Sequence, residues 1–107
     1  MTKVEQFLGL AAKARKIVTG EELVVKAVAS KQIQLVILAV DASDNTKKKL
    51  MDKCKTYDTP FRLYADRYRL GHCIGKEQRV VIGIKDSGFA RELLMHIDNE
   101  DKGVTYE

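Results

Sequence analysis

Apolar residues recur along this chain in two rhythms, and the switching between them sets out most of the architecture. Val4, Phe7, Leu8, Ala11 and Ala12 follow at helical spacing, which leaves an apolar stripe on one side. Thr2 and Glu5 stand at the positions of a capping box ahead of that stripe, so the pattern predicts a first helix from Lys3 to Arg15. Ile17 and Val18 read as a brief extended link. Thr19 and Glu22 then repeat the capping pattern before Leu23, Val24, Ala27 and Val28, and the second helix should end near Ser30.

Leu35-Val36-Ile37-Leu38-Ala39-Val40 is apolar throughout and too short for a typical helix, as expected of a central strand covered on both faces, with Asp41 at its carboxyl end. Ser43 or Asp44 can cap a third helix through Tyr57. Pro60 prevents its continuation, and Phe61-Arg62-Leu63-Tyr64 alternates like a shorter strand. A fourth helix should cover Asp66 to Ile74, with Gly75 as its C-terminal stop, followed by a second central strand from Val80 to Ile84. Ser87 opens a last helix through Phe89, Leu93, Leu94 and Ile97. Helices alternating with buried strands imply an α/β fold, a three-layer α/β/α sandwich around a mixed sheet. The expected organisation is one domain over residues 1–98 and a loose polar tail over residues 99–107.

A chain of 107 residues with 45% hydrophobic content is large enough for one core and too short to divide comfortably into two. No apolar run approaches the ~20 residues needed to span a bilayer, so the expectation is a soluble, cytoplasmic protein with no membrane partner. Cys54 and Cys73 lie far apart outside any paired metal motif, and reduced thiols are the simplest reading. The formal net charge is +4. Asp98, Glu100, Asp101 and Glu107 against Lys102 sum to −3, so the first 97 residues carry +7. That excess favours a polyanionic partner, although many cytosolic proteins are basic without one.

Charge matters most near Thr19-Gly20-Glu21-Glu22, which lies between Lys13, Arg15 and Lys16 and the second helix. A helix start exposes unpaired backbone amides and the positive end of the dipole, which suit phosphate oxygens, while nearby side chains can meet base edges. The plain alternative is that Glu22 caps the helix with Thr19, a role worth ~1 kcal/mol that needs no ligand. The lysines at 47, 48, 49, 53 and 55 point in different directions around a helix and read mostly as a solvated face. Tyr57, Tyr64 and Tyr68 more often complete a core or its rim than stack on bases. His72 and Cys73 are adjacent, diverge by ~100° on a helix and so form no base and nucleophile pair. His72 and His96 are the only histidines, and no cluster has metal-ligand spacing. No phosphate-binding glycine loop or dinucleotide fingerprint is present, and no cofactor is expected.

Leu8-Gly9-Leu10-Ala11-Ala12-Lys13-Ala14-Arg15-Lys16, then Gly20-Glu21-Glu22 and Lys26-Ala27-Val28, resemble the kink-turn-binding ribosomal protein superfamily of archaea and eukaryotes, and most closely its bacterial YlxQ-like branch. Leu35 to Asp41, Lys53-Cys54, Leu70-Gly71-His72-Cys73-Ile74-Gly75 and the strand from Val80 agree in order, so the resemblance covers roughly Val4 to Leu94. It implies an α/β/α protein that holds sharply bent RNA, with the start of helix two and two neighbouring loops contacting tandem sheared G·A pairs. The family pattern at that helix is Gly, a small residue, Asn, Glu, two further residues, then Lys. Gly20 and Lys26 match it; Glu22 takes the Asn position and Leu23 the Glu position. A carboxylate accepts from base amino groups but cannot donate to guanine O6. The family's apolar nucleotide-cradling loop is here Lys76-Glu77-Gln78-Arg79, which favours phosphate contact.

These features imply a non-enzymatic RNA-binding protein, ribosome-associated or acting on another structured RNA, with ribosomal RNA or a kink-turn RNA as partner and ribosomal proteins as neighbours. Gly20 would permit close backbone approach, Glu21 and Glu22 would read base edges, and Arg15, Lys16 and Lys26 would neutralise phosphates. Gly75, Lys76 and Arg79 would form the second loop, and Asp41 and Ser43 would be neighbours at the strand end. Two other readings stand against this: a small α/β hydrolase or transferase using Cys73, Cys54 or His72, and a protein-interaction module whose basic surface tunes association.

Overall fold

The computed structural model describes the backbone of residues 2–106 and the side chains of residues 2–100. Its elements in chain order are α1 (Lys3–Lys13), β1 (Ile17–Thr19), α2 (Glu21–Ala29), β2 (Leu35–Leu38), α3 (Asp44–Thr56), β3 (Phe61–Leu63), α4 (Arg67–Cys73), β4 (Val81–Ile84) and α5 (Ser87–Tyr106). The four strands form one sheet in the order β1-β4-β2-β3. β2 and β3 run parallel, while β4 is antiparallel to both of its neighbours, so the sheet is mixed as the sequence led one to expect.

The unbroken apolar runs in the two central strands follow from burial on both faces. Along β2, Leu35 and Ile37 enter the core beneath α1, α4 and α5, with Val4, Leu8, Leu70, Leu93 and Ile97. Val36 and Leu38 point the other way, into the core beneath α2 and α3, with Val24, Val28, Leu50 and Cys54. The period of two along a strand thus feeds two cores from one segment. Each fully buried aliphatic side chain contributes roughly 1.5–3 kcal/mol. The result is the three-layer α/β/α sandwich.

Local boundaries differ from the sequence reading for identifiable reasons. α1 stops at Lys13, not Arg15, because Ala14 caps it and Arg15 adopts a left-handed backbone with φ 59°. Ile17 and Val18 are no mere link: with Thr19 they pair antiparallel with β4 as an edge strand. That pairing withdraws Thr19 from the expected cap, and Gly20 becomes the N-cap of α2 at φ 95°, ψ 135° with no side-chain hydrogen bond. The last helix does not end at Ile97; it continues through Asn99 and Glu100, where Glu100 accepts from the Tyr64 hydroxyl at 3.2 Å. The expected tail therefore begins as helix, and Glu107 lies outside the described residues.

The register also decides which loops meet. Thr19 pairs with Ile82, and Leu38 pairs with both Val81 and Leu63. The exits of β1, β2 and β3 and the entry of β4 consequently share one end of the sheet, which brings together Gly20, residues 39–43, residues 64–66 and residues 74–80. Ile17 and Leu35 both pair with Ile84 at the opposite end, which gathers residues 14–16, 30–34, 57–60 and 85–86.

Candidate nucleic-acid interface

At the end where β1 gives way to α2, the amides of Glu21, Glu22 and Leu23 precede the first helical donor, since Val24 N–H is the first to reach back, to the Gly20 carbonyl at 2.9 Å. Thr2, Ser43 and Asp66 cap α1, α3 and α4 through side-chain oxygens, and Asp86 Oδ2 accepts from Phe89 N–H at the start of α5. Gly20 has no side chain to do the same for α2. Its conformation lies where L-residues are strained, which explains why a glycine stands there.

Glu21 and Glu22, adjacent in sequence, face different surroundings. Glu21 accepts from the Thr46 hydroxyl at 2.5 Å and from Lys49 Nζ at 3.2 Å, both on α3. The Thr46 hydroxyl first and the Lys49 ammonium second hold its carboxyl below the usual value. Ser43 Oγ caps α3 by accepting from Thr46 N–H at 3.1 Å and donates to Thr46 Oγ1 at 3.0 Å. Ser43, Thr46 and Glu21 therefore form one chain tying the β2–α3 loop to the start of α2. Glu22 is exposed, one turn before exposed Lys26 on the outer face of the helix, with Leu23 61% exposed beside them. Lys26 stands about 7.5 Å of axial rise beyond Glu21.

The third segment is the loop between α4 and β4. Gly75, at φ 75°, closes α4, and exposed Lys76 donates its backbone N–H to the Gly71 carbonyl at 2.8 Å. Gly71 is pressed against this loop so closely that a Cβ would fall 2.5 Å from Gln78 Cα. Arg79 points across to β1, where its Nε lies 3.4 Å from Thr19 Oγ1. Gly20, Gln78, Arg79, Val80 and Val81 line a cleft of about 230 Å³ between helix start and loop. Asp41 is held from the side by Arg67: the backbone N–H reaches Oδ1 at 3.0 Å and Nε reaches Oδ2 at 3.2 Å.

Nine of the eleven residues singled out from sequence thus gather at this end or on α2 leading from it: Gly20, Glu21, Glu22, Lys26, Asp41, Ser43, Gly75, Lys76 and Arg79. Arg15 and Lys16 do not. β1 separates them from Gly20, and the Lys16 carbonyl instead accepts from Lys85 N–H at 2.8 Å at the far end of the sheet. Proximity in sequence misplaced them, because Ile17–Thr19 is an extended strand rather than a compact link. Lys26, Lys76 and Arg79 have no carboxylate partner among the described residues. Sequence reasoning missed Thr46 and Lys49 as partners of Glu21, and Arg67 as the clamp on Asp41. The i, i+3 spacing of Thr46 and Lys49 was the available signal for the first pair.

The thiols offer little nucleophilic character. Burial pushes Cys54 up to about 11, and burial followed by the Glu5 carboxylate raises Cys73. No helix among the described residues is long and apolar enough to cross a membrane.

Comparison with known proteins places this geometry. Residues 2–94 match the family described as Ribosomal protein L7Ae/L30e/S12e/Gadd45. The chain is 47% identical over 100 residues to the RNA-binding protein YlxQ of Bacillus subtilis (strain 168), covering 92% of this chain and 100% of that one. It is 41% identical over 91 residues to the YlxQ protein of Enterococcus faecium, covering 84% and 86%. A solved structure from Bacillus halodurans, described as a protein with unknown function, superposes with a TM-score of 0.90 at 54% identity, over 92% of this chain and 99% of that one. The Giardia lamblia 15.5kD RNA binding protein shares the fold alone, with a TM-score of 0.74 at 19% identity over 90% and 82% of the two chains. The chain belongs to the L7Ae/L30e/S12e/Gadd45 family of ribosomal proteins.

Proposed function

We propose that this protein is a non-enzymatic, cytoplasmic RNA-binding protein that holds sharply bent, kink-turn-like RNA at the end of the sheet where α2 begins. The observation that carries the reading is the convergence of the α2 start, which lacks a side-chain cap, the Ser43 loop and the Gly75–Arg79 loop, with Lys26, Lys76 and Arg79 facing no carboxylate among the described residues. Backbone amides at the helix start suit phosphate oxygens, Lys26 suits guanine or phosphate, and Glu22 suits the exposed amino groups of a sheared pair. Glu21 acts through α3, fixing the angle at which the helix start is presented. The printed names of the YlxQ relatives support RNA as the ligand. A ribosomal or ribosome-associated RNA, with ribosomal proteins as neighbours, fits the family. The raised thiols weigh against the cysteine-enzyme alternative.

The test is competition among a kink-turn RNA, a straight duplex of equal length and a kink-turn with its G·A pairs replaced, measured across salt concentrations. Preference for the first, lost in Lys26→Ala, is the expected result. Equal affinity for all three overturns the structural specificity and leaves the interaction-module alternative.

A further inference from the structure

The displaced pair Arg15 and Lys16 belongs to a second surface. The loops at the far end of the sheet hold Arg15, Lys16, Lys31 and Lys85, all exposed and none ion-paired among the described residues. The same loops contain two carboxylates, Asp58 and Asp86, and Asp86 is already engaged as the cap of α5. Lys16 and Lys85 flank adjacent strands, β1 and β4, and are joined by a backbone hydrogen bond of 2.8 Å, while Gln34 N–H, just ahead of β2, reaches the Ile84 carbonyl at 2.7 Å. The row runs across the ends of three adjacent strands, β1, β4 and β2, about 10 Å at the usual strand spacing. Lys31, Gln34, Tyr57 and Thr59 border a cleft of about 320 Å³ beside it.

Two of these cations stand where a side chain is unfavourable. Arg15 and Lys31 each follow a helix C-cap in a left-handed backbone, at φ 59° and 60°, the position glycine ordinarily fills. The large exposed apolar residues Leu10, Leu23, Val40, Leu63, Tyr68 and Met95 all lie outside these loops, so the surface lacks the apolar centre a protein partner would bury. Unpaired cations without such a centre fit a phosphodiester backbone.

We infer that the sheet end formed by Arg15, Lys16, Lys31 and Lys85 is a second, sequence-independent RNA-binding surface, so that one protein molecule bridges two segments of folded RNA. Strands of three to four residues keep the two ends about 13 Å apart, too far for one contact to serve both. The inference does not depend on kink-turn recognition.

The probe is a straight duplex RNA without G·A pairs, titrated into the full chain alone and into the chain already saturated with kink-turn RNA. The native protein should bind it in both states. Lys16→Gln/Lys31→Gln/Lys85→Gln should weaken it at least tenfold and lower the salt slope by roughly 2 to 3, a larger loss than Lys26→Ala/Arg79→Ala causes. Cations after helix C-termini can also serve helix stability alone. Arg15→Gly/Lys31→Gly separates the roles, because glycine relieves the left-handed backbone: its melting temperature should hold or rise while duplex affinity falls. Unchanged duplex binding in both variants, or equal losses of binding to RNA and to poly-glutamate, would overturn the inference. So would loss of straight-duplex binding in Lys26→Ala/Arg79→Ala alone. If kink-turn preference fails, the titration of the chain alone still reads this surface.

Discussion

The two ends of the sheet differ in how each can attract an anion. Where α2 begins, α1 and α3 also begin, so three positive dipole ends face there while α4 both starts and stops beside them, yet Asp41, Asp66 and Glu77 against Lys76 and Arg79 leave the loops with one net negative charge. At the far end α1, α2 and α3 terminate and α5 begins. Arg15, Lys16, Lys31 and Lys85 against Asp58 and Asp86 leave two net positive charges there. The first end offers directed backbone amides and a shaped cleft; the second offers mobile side-chain charge. Directional donors select geometry, whereas point charges on flexible stems attract any phosphate, so specificity and salt dependence should divide between the ends.

The change expected to break this division most severely is Gly71→Ala. Its Cβ would overlap the backbone of Gln78, forcing the 74–80 loop away from α4. A loss of roughly 1–3 kcal/mol in urea unfolding is expected, with kink-turn affinity falling by more than the loss of folded protein explains. Lys26→Ala/Arg79→Ala should leave stability within about 0.5 kcal/mol and reduce kink-turn affinity tenfold or more, roughly 1–3 kcal/mol, in a filter-binding titration. Gly20→Ala meets no neighbouring atom and still carries a strained φ, so unfolding should show a cost of about 1–2 kcal/mol without steric disruption of the cleft.

How much of this was legible without coordinates depended on whether the signal was periodic. The alternation of Leu35 to Leu38 between two cores and the helical stripe of Val4, Leu8 and Ala11 repeat at fixed intervals, and burial enforces them. The start of α2 turned on one competition that sequence does not display: Thr19 fits both a cap and an edge strand, and pairing with Ile82 won. Arg15 and Lys16 were misplaced for the same reason, since three residues span little as a link and much as a strand. Glu21 looked as free as Glu22 because its partners Thr46 and Lys49 lie a whole helix and strand away. Patterns held by local period were readable; contacts made across the sheet's end were not.

Acidification should produce the smallest effect and sharpen the contrast between ends. Glu5, bridged to Arg69 at 2.7 Å, is held down to about 2 from 4.5, by the Arg69 hydrogen bond first and the Thr2 backbone next, and Glu21 is also lowered. A depressed carboxyl stabilises the fold fully above its unfolded value and loses that contribution as pH falls through the folded one. Stability should therefore decline from about pH 5 toward pH 2, with Arg69→Ala flattening the decline by less than ~1 kcal/mol because the guanidinium is largely exposed. Both carboxylates serve elements that begin at the α2 end. Hydrogen exchange at pH 3 should accordingly open the first turns of α1 and α2 before the backbone hydrogen bond from Lys85 to Lys16.

Amide chemical shifts followed during titration with a short kink-turn RNA test the assignment of the two ends most directly. Changes should appear first at Gly20 to Leu23, residues 40–43 and residues 75–81, and saturate there with one RNA bound at that end. Changes confined to residues 14–16, 31–34 and 85, with the start of α2 unmoved, would contradict it.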